Sequence, residues 1–594
     1  MIVKMKKVYL VVQKQEAAEA AHRLRGLGVL HLEHEKPPTS EYLMELKNQY
    51  QRSERAVMVL SRYTMARGEK PLQEEAIEDW PQRIQEIHSL NETVEQLKES
   101  LSKRQGIISE WSSWGHFNPA DVKGLGERGV YIQFYEIPKN ELFKIPTNVI
   151  LCPISSKGNI LHCLTVSRSR VELPFMKLNV PLMSLNEMEQ RQREDQNKIA
   201  EAQLRLQQLA SHQYELERLL KSYEDEVRLK EALEGMGESQ ELAYFKGFCP
   251  VDECINLQQT AREEKWGILI ADPSSEDPIP TLLRNPKWVE VVKPIFSLMN
   301  IIPGYKELDI SLIFLFFFSL FFGILIGDAG YGFVFLGLTV FAHRKLKGKF
   351  KEPTLFVLMY VLSTCAITWG FMTGTFFGTV LIGKTLKPLL VWLTEVKNLQ
   401  FLCFLIGAIH LTIAHSWRLL MRIKTIFSAL AELGWILIIW GAFFLANAMV
   451  IGIPLLGLDM NKAMVFVGIG AFLVIIDIFS RPKDGPAVGL VLTFFGCISA
   501  FTDVVSYIRL FAVGLAGVAV ADAFNEMALG IGFNSVATGL ITTLILVIGH
   551  LFNIILGTMA IFVHGLRLNV LEFSSHLGLE WSGVKYEPFK KVSV

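Results

Sequence analysis

The sequence predicts an α-helical polytopic membrane domain of about eight transmembrane helices, the last two long and tilted. In front of it stands an N-terminal cytoplasmic arm of two small α/β lobes joined by an antiparallel coiled coil. Three observations carry that prediction. Charge is divided unevenly along the 594 residues: residues 1–300 hold 39 Lys/Arg and 44 Asp/Glu, whereas residues 301–594 hold 20 and 15. Apolar runs recur after Pro303 at about the 20-residue length that a bilayer demands. Two stretches in the first half repeat apolar residues at 3-4 spacing with charged flanks. The first half is thus water-soluble and slightly acidic, and the second is too apolar for a soluble domain. A wholly soluble protein, a disordered chain and a nucleic-acid binder relying on a large basic surface are excluded. Seven scattered cysteines with no CxxC pair exclude zinc fingers and small disulfide scaffolds. The N-terminus has only a five-residue apolar run and does not read as a signal peptide.

In chain order, residues 1–300 form the arm. A membrane-near lobe takes residues 1–40 together with 240–300. Residues 7–12 (KVYLVV) read as a strand, 15–27 as a helix stopped by Gly28, and VLHLEHE as a second strand. Alternation puts His31, Glu33 and Glu35 on one strand face, but no third convergent element completes a metal site, and the reading is a solvated edge. The coiled coil takes 41–115 with 183–238. One seam runs Ile87, Leu90, Val94, Leu97, Leu101, Arg104, Ile108, Trp111. The other runs Ile199, Ala202, Leu206, Leu209, Gln213, Leu216, Leu220, Tyr223, Val227, Lys230. A distal lobe, 116–182, holds strands near 129–136, 148–153 and 159–166. The chain returns through strand 242–248, a helix after Pro250 and strand 267–271. Such a rod spans distance and does no chemistry.

Residues 301–594 form the membrane domain, with spans near 310–327, 329–343, 354–380, 400–418, 428–451, 463–480, 488–530 and 536–573. Eight is even, so both termini share a side. Basic residues choose it. With the arm in the cytoplasm, the loops on that side hold Arg344, Lys345, Lys347, Lys349, Lys351, Arg422, Lys424, Arg481 and Lys483, and the tail adds Lys585, Lys590 and Lys591. The opposite loops hold only Lys384, Lys387, Lys397 and Lys462. The expectation is an integral protein of a prokaryotic plasma membrane with N- and C-termini cytoplasmic.

The last two spans are too long to cross upright: 488–530 would measure ~64 Å as one helix, so each must tilt or break. They also carry ionisable groups at membrane depth, which mark an ion pathway by default. Asp503, Arg509, Asp522 and Glu526 lie on one, and His550, His564, Arg567 and Glu572 on the other. Ser499, Thr502, Ser506 and Arg509 step by 3-4-3. So do His550, Asn553, Gly557, Ala560, His564 and Arg567. Each helix therefore has a polar or small stripe. The bland alternative, buried structural pairs such as Asp503 compensating Arg509, stays open for the acids and histidines.

The strings SYIRLFAVGLAG (506–517), HGLRLNVLEF (564–573) and YEPF (586–589) closely resemble the stator a subunit of V-type ATPases, called subunit I in bacterial and archaeal V/A-type enzymes. GFCPVDE (247–253), NPKWVEVVKPIFSLMNIIPGYKELD (285–309) and FFGILIGDAGYG (321–332) are similar to the same family. The resemblance implies a non-catalytic, ion-translocating subunit of a rotary ATPase. It implies partners too: the c ring, peripheral stalk E/G-type subunits, a central-stalk d/C-type subunit, the V1/A1 head and the lipid bilayer, with no nucleic acid. It implies no cofactor on this chain, and H+ or Na+ as the transported ion. Arg509 and Arg567 match the family's arginine motifs. Eukaryotic members have a Glu and an Asn where this chain has Phe495 and Ser499, a His at Gly517 and a Glu at Gly557, so their half-channel residues do not transfer.

Arginine stays protonated at physiological pH and presents a rigid fork of donors, which suits a barrier and not a proton carrier. Topology divides the remaining candidates. Ser499, Thr502, Asp503, Ser506, His564 and Glu572 fall on the cytoplasmic side of the arginines, and Asp522, Asn525, Glu526, His550 and Asn553 on the outer side. Two separate half-channels are expected, because a continuous one would leak. The rival class is a secondary ion transporter or antiporter with a coiled-coil arm, against which stands the absence of an internal repeat. A scaffold using only the arm would not retain two arginines at membrane depth. Residues 378–385, GTVLIGKT, satisfy the P-loop pattern, but they end a membrane span where a P-loop needs a strand before it and a helix after it, and the topology puts Lys384 away from cytoplasmic ATP.

Overall fold

The computed structural model describes residues 1–63, 79–146, 149–346, 353–379, 387–452, 460–480 and 485–591. The chain divides into two compact units, one of Met1–Val8, Phe248–Thr260 and Leu269–Pro588, the other of Tyr9–Gly247, Ala261–Ile268 and Phe589–Val594.

The N-terminal half opens with β1 (Met5–Gln13), α1 (Ala17–Leu27) and β2 (His31–Glu33). Helix α1 buries Ala17, Ala20, Ala21 and Leu24 and ends at Gly28, whose left-handed φ of 63° lets its N–H close on the Leu24 carbonyl. Two helices follow, α2 (Glu41–Leu60) and α3 (Trp80–Trp111), capped by the Ser40 and Asp79 side chains. The distal lobe comprises α4 (Pro119–Glu127), β3 (Tyr131–Pro138), β4 (Ile150–Lys157), β5 (Ile160–Ser167) and β6 (Met176–Leu178). Its sheet has the order β4-β5-β3-β6 and is antiparallel throughout its two long pairings. Trp111, Trp114, Phe117 and Phe134 form its aromatic core, with Trp111 edge-on to Phe134 at 5.1 Å.

The chain returns through α5 (Leu185–Ala210), which starts at a reciprocal Ser184/Glu187 capping box, and α6 (Gln213–Glu234). Helix α3 packs on α5 and α2 on α6. Ala56, Leu60, Ile84, Ile87, Leu206, Leu209 and Leu216 share one buried cluster. The second seam read as a single helix is two, parted at Ser211–His212 beside its polar position Gln213. The polar seam residue Arg104 is answered across the pair by Asp195 at 2.8 Å. The half closes with β7 (Gly237–Ser239), β8 (Leu242–Pro250), α7 (Cys254–Glu263) and β9 (Gly267–Ala271), giving a sheet of order β2-β8-β1-β9 with β7 on β8. Gly247 lets β8 approach β2, since a Cβ there would sit 2.2 Å from the His31 carbonyl oxygen. Glu33 and Glu35 face Lys246 at 3.1 and 3.5 Å, an ion-pair edge.

The second half starts with β10 (Pro280–Thr281) and α8 (Lys293–Met299). The apolar helices are α9 (Ser311–Ile326), α10 (Ala329–Leu346), α11 (Thr354–Thr373), α12 (Val396–Arg422), α13 (Ile426–Ala446), α14 (Met460–Ser480), α15 (Pro486–Ser506), α16 (Ile508–Ile531) and α17 (Val536–Ala560), before a short α18 (Ser574–Leu577) and β11 (Val584–Lys585). Six continuous segments among the described residues are long and apolar enough to cross a bilayer, the last two being Pro486–Ile531 and Val536–Leu577. The expected first and second spans are the pair α9 and α10, bent by 120° at Gly327–Asp328. Phenylalanines of α9 dominate the core, with Phe314, Phe317, Phe318, Phe321 and Phe322 all buried. After the last helix, β11 runs parallel to β10 (Pro280↔Val584), and Ile302 bridges Ser582. Tyr586 of the YEPF string packs with Met5, Phe248 and Ile279, and burial pushes its phenol pKa up. Of the basic residues used to orient the chain, Lys347, Lys349, Lys351, Lys384, Arg481 and Lys483 lie outside the described residues.

Candidate functional site

Both long segments are irregular where their arginines sit. The first is interrupted at Tyr507, two residues before Arg509. The Tyr507 side chain is fully buried against Gly407 of α12, where a Cβ would lie 2.6 Å from the ring, and its hydroxyl lies 2.8 Å from His410 Nδ1. The second widens into π-helical turns at Ile561–Gly565 and Leu568–Phe573, on either side of Arg567. Such wide turns re-aim side chains and are frequent at functional sites.

These distortions bring both arginines to one carboxylate. Arg509 Nη2 donates to Glu572 Oε1 at 2.5 Å, and Arg567 Nε lies 3.3 Å from the same oxygen. Glu572 is 5% exposed, Arg509 21% and Arg567 55%. Glu572 Oε2 is buried with no hydrogen-bond partner among the described residues. A lone guanidinium at membrane depth costs about 2.5–3.5 kcal/mol on insertion scales, and a shared carboxylate offsets part of that for both. Asp503, which the bland alternative would pair with Arg509, points elsewhere. They lie six positions apart, more than one and a half turns with the Tyr507 break between, and Asp503 meets His576 at 3.1 Å instead.

That contact begins a chain of titratable groups. His576 Nδ1 lies 2.9 Å from His415 Nε2, and His415 Nδ1 lies 2.7 Å from Glu432 Oε2. The other Glu432 oxygen receives Arg418 at 3.0 Å and Arg422 at 2.9 Å. Helices α12, α13, α15 and α18 each contribute. Sequence reasoning found only Asp503 of this set. His415 and Arg418 do share a helix face with Arg422, and that 3-4 spacing was the available signal.

A second cluster gathers the outer candidates. Tyr331 Oη lies 2.8 Å from His550 Nδ1 and accepts from Asn553 Nδ2 at 2.9 Å; Asn553 also reaches the Gly517 carbonyl at 2.7 Å. Asn525 donates to the Phe377 carbonyl at 2.6 Å. Asp522 accepts from the Thr379 N–H and hydroxyl at 2.6 and 2.5 Å. Asp328, at the α9–α10 bend, accepts from the N–H groups of Tyr331, Phe377 and Gly378 at 3.2, 2.9 and 2.7 Å. The first two residues of the P-loop-like string therefore serve two carboxylates. Gly378 has φ of 86°, and a Cβ on it would lie 2.3 Å from Asp522 Oδ1. Val380 to Thr385, with Lys384, lie outside the described residues. Asp328 and Tyr331 were read as part of a motif and not as site residues.

The remaining candidates are placed less tightly. Thr502 and Ser506 bond back to the carbonyls of Ile498 and Asp503, and Ser499 and Glu526 are exposed. His564 is partly buried, with no hydrogen-bond partner for its Nδ1 among the described residues. The outward face of α17 and of the turn after it is otherwise apolar, with Leu544, Ile548, Leu551, Ile555, Met559 and Val563 exposed up to Arg567. Described residues contain no cluster of three or more His, Cys, Asp or Glu arranged to hold a metal ion.

No protein-family model matches the sequence. The chain is 32% identical over 632 residues to V-type ATP synthase subunit I of Borreliella burgdorferi, with 100% of both chains covered. It is 28% identical over 631 residues to V-type ATP synthase subunit I 1 of Treponema pallidum, again with 100% of both covered. To A-type ATP synthase subunit I of Pyrococcus horikoshii it is 32% identical over 343 residues, which is 54% of this chain and 49% of the other.

Proposed function

The chain belongs to the subunit I family of V-type and A-type ATP synthases, and we propose that it works as the membrane stator of a rotary ATPase, with Arg509 and Arg567 forming the barrier between two ion half-channels. The observation that carries this reading is the carboxylate of Glu572 held between the two guanidiniums. A carboxylate on a passing ring subunit would compete with Glu572 for Arg509, and the guanidinium would lower its pKa and release its ion. Between visits Glu572 keeps the arginines oriented and partly neutralised. The fixed positive charge repels ions from the direct path, so rotation of the c ring is the route left.

Eight spans are supported by two features of the fold. Helix α10 runs antiparallel along α11, from Gly332 beside Ile367 to His343 Nδ1 at 3.1 Å from the Tyr360 hydroxyl, so it crosses as deeply as α11 does. Pairing of β10 with β11 sets the residues before the first span beside those after the last, which fits an even number of crossings. Arg344, Lys345, Arg422 and Lys424 favour a cytoplasmic placement for that side and for both termini. The paired helices α3–α5 and α2–α6 then form a coiled-coil arm toward E/G-type peripheral stalks and the V1/A1 head, with the central-stalk d/C-type subunit and c ring as further partners. The arm takes residues 1–300 and the translocation domain 301–594, in a prokaryotic plasma membrane. The chain itself neither hydrolyses ATP nor carries a cofactor. A secondary transporter is not favoured, since relatives matched over their full length are synthase subunits.

In this reading Asp503 and Glu572 belong to the cytoplasmic half-channel with Ser499, Thr502, Ser506 and His564. Asp522, Asn525, Glu526, His550 and Asn553 belong to the outer one. Membrane-impermeant thiol reagents test it on the assembled complex in sealed vesicles. Glu526→Cys should react from the outer side only and Ser499→Cys from the cytoplasmic side only. Reaction of both from both sides would mean one open pore and would contradict the reading.

A further inference from the structure

We propose that the groove between α9 and α11, together with the polar pocket at its mouth, binds one phospholipid with an anionic headgroup. The inference goes beyond the stator reading and does not depend on it.

Two matching stripes line the groove. On α9, Leu312, Phe316, Ser319 and Gly323 follow 4-3-4 spacing, and so do Val361, Cys365, Thr368 and Met372 on α11. The helices run parallel, since their C-terminal ends meet where the Thr375 hydroxyl bonds to the Gly327 carbonyl at 2.5 Å. Near that end they close on each other: a Cβ on Gly323 would lie 3.0 Å from the Cys365 carbonyl oxygen. From there the groove, of about 490 Å³, extends toward their N-terminal ends. Leu312 to Gly323 is ~16 Å of helix, which matches one leaflet of a hydrocarbon core ~30 Å thick. Thr364 and Thr368 turn their hydroxyls back to the carbonyls of Tyr360 and Thr364, at 2.7 and 2.8 Å, and Ser319 buries its own. The walls therefore present carbon.

The mouth is different. Trp288 and Leu312 border both the groove and a second pocket of about 760 Å³, which Lys4, Asn285, Tyr305 and Lys306 help to line. Volumes of this size are ordinary for small-molecule sites. Trp288 is 61% exposed, and Trp417 lines the same pocket, so indoles stand where apolar walls give way to polar ones, as they do at a membrane surface. Charge there favours an anion. Lys4 and Lys306 are exposed and form no ion pair among the described residues. Both acids of the pocket are already answered. Glu307 accepts from the N–H groups of Gly304 and Glu580 at 2.6 and 2.7 Å. Asp309 takes the Ser311 N–H at 3.0 Å and the terminal amine at 2.5 Å. The Tyr305 hydroxyl accepts from the Met5 N–H at 2.9 Å and keeps its own hydrogen to donate. A phosphate among Lys4, Lys306 and Tyr305 thus stands above a groove the length of one acyl chain. A zwitterionic headgroup would bring its own cation beside the two lysines, and an apolar helix laid in the groove would leave both unanswered.

The test uses the assembled complex in phosphatidylcholine vesicles carrying either photoactivatable phosphatidylglycerol or photoactivatable phosphatidylcholine, with the reactive group at the end of an acyl chain. The glycerol probe should label α9 or α11 near Gly323 and Cys365 about 10-fold more than the choline probe, the scale set by two lysines beside an anionic headgroup. Excess unlabelled phosphatidylglycerol should compete with it, and further phosphatidylcholine should not. Lys4→Gln combined with Lys306→Gln should remove the preference. Thr368→Trp, which fills the groove from an exposed position, should lower labelling by both probes. Equal labelling by the two probes in the unmodified complex would mean ordinary boundary lipid and would overturn the proposal, as would a preference unchanged in the double Gln variant. Crosslinking of Phe316→Cys to a helix of another subunit, with no lipid adduct in the groove, would also overturn it.

Discussion

Replacing Arg509 by Gln is expected to leave an assembled complex whose ATP-driven ion transport falls by about 100-fold or more, the scale on which removing one preorganised electrostatic group acts. Glutamine keeps a donor near Glu572 and similar bulk, so α16 has no packing reason to move. What disappears is the permanent charge. A ring carboxylate arriving at the barrier would then find Arg567 alone, and that side chain is more exposed and holds Glu572 at 3.3 Å instead of 2.5 Å. Arg509→Lys retains charge without the fork, so an intermediate loss is expected. Arg567→Gln should cost less than Arg509→Gln. The measurement is initial transport rate normalised to subunit content. A normal rate in Arg509→Gln would remove the barrier role outright.

The second large effect is structural. Asp328→Ala should sharply reduce the amount of chain recovered in the complex and lower its thermal stability. The carboxylate accepts from three backbone N–H groups, of Tyr331, Phe377 and Gly378, at a site where the residue is 1% exposed. Each N–H left unpaired costs about 1–3 kcal/mol, and no bulk water is at hand to replace the acceptor. The same carboxylate ties the α9–α10 bend to the segment after α11, so the Tyr331–His550–Asn553 cluster should loosen with it. Asp328→Asn keeps acceptor capacity on one oxygen and should be milder. Equal recovery and melting of Asp328→Ala and the unmodified complex would show that the bend is held by other contacts.

Much of the membrane architecture was legible because bilayer burial writes itself as length and composition. The apolar runs, the over-long last two segments and the polar stripes at Ser499–Arg509 and His550–Arg567 needed no tertiary information. The need for those segments to tilt or break was also legible. The sites of irregularity were not, because Tyr507 interrupts its helix through burial against Gly407, a residue one hundred positions earlier. The partner of Arg509 was hidden for the same reason. Asp503 was the counter-charge to Arg509 only in the bland alternative, and the π-helical turns carry Glu572 there and leave Asp503 to His576. His415 and Glu432 escaped notice because each is unremarkable on its own helix and acquires meaning only where helices meet. In the arm, the seam periodicity located α3 and α5. It passed over the break at Ser211–His212, since a helix can end without disturbing 3-4 spacing on either side. The GTVLIGKT string misled in the opposite direction. Its glycine is demanded by close approach to Asp522, a reason that sequence alone does not distinguish from phosphate binding.

The account stands on the segments Pro486–Ile531 and Val536–Leu577 facing the c ring with their arginines at the contact, and disulfide crosslinking in the assembled complex tests that directly. Leu515 is 44% exposed and Val563 is 54% exposed, on the two long segments that carry Arg509 and Arg567. Cysteines at these positions, combined with a cysteine on the outer helix of the ring subunit, should form crosslinks that stop ATP-driven rotation until they are reduced. Met464 and Phe472, equally exposed on α14, serve as the comparison. Crosslinks at Leu515 and Val563 with none at α14 are the predicted result. Crosslinks at α14 with none at Leu515 or Val563 would place the ring on another face and contradict the assignment of Arg509 and Arg567 as the barrier.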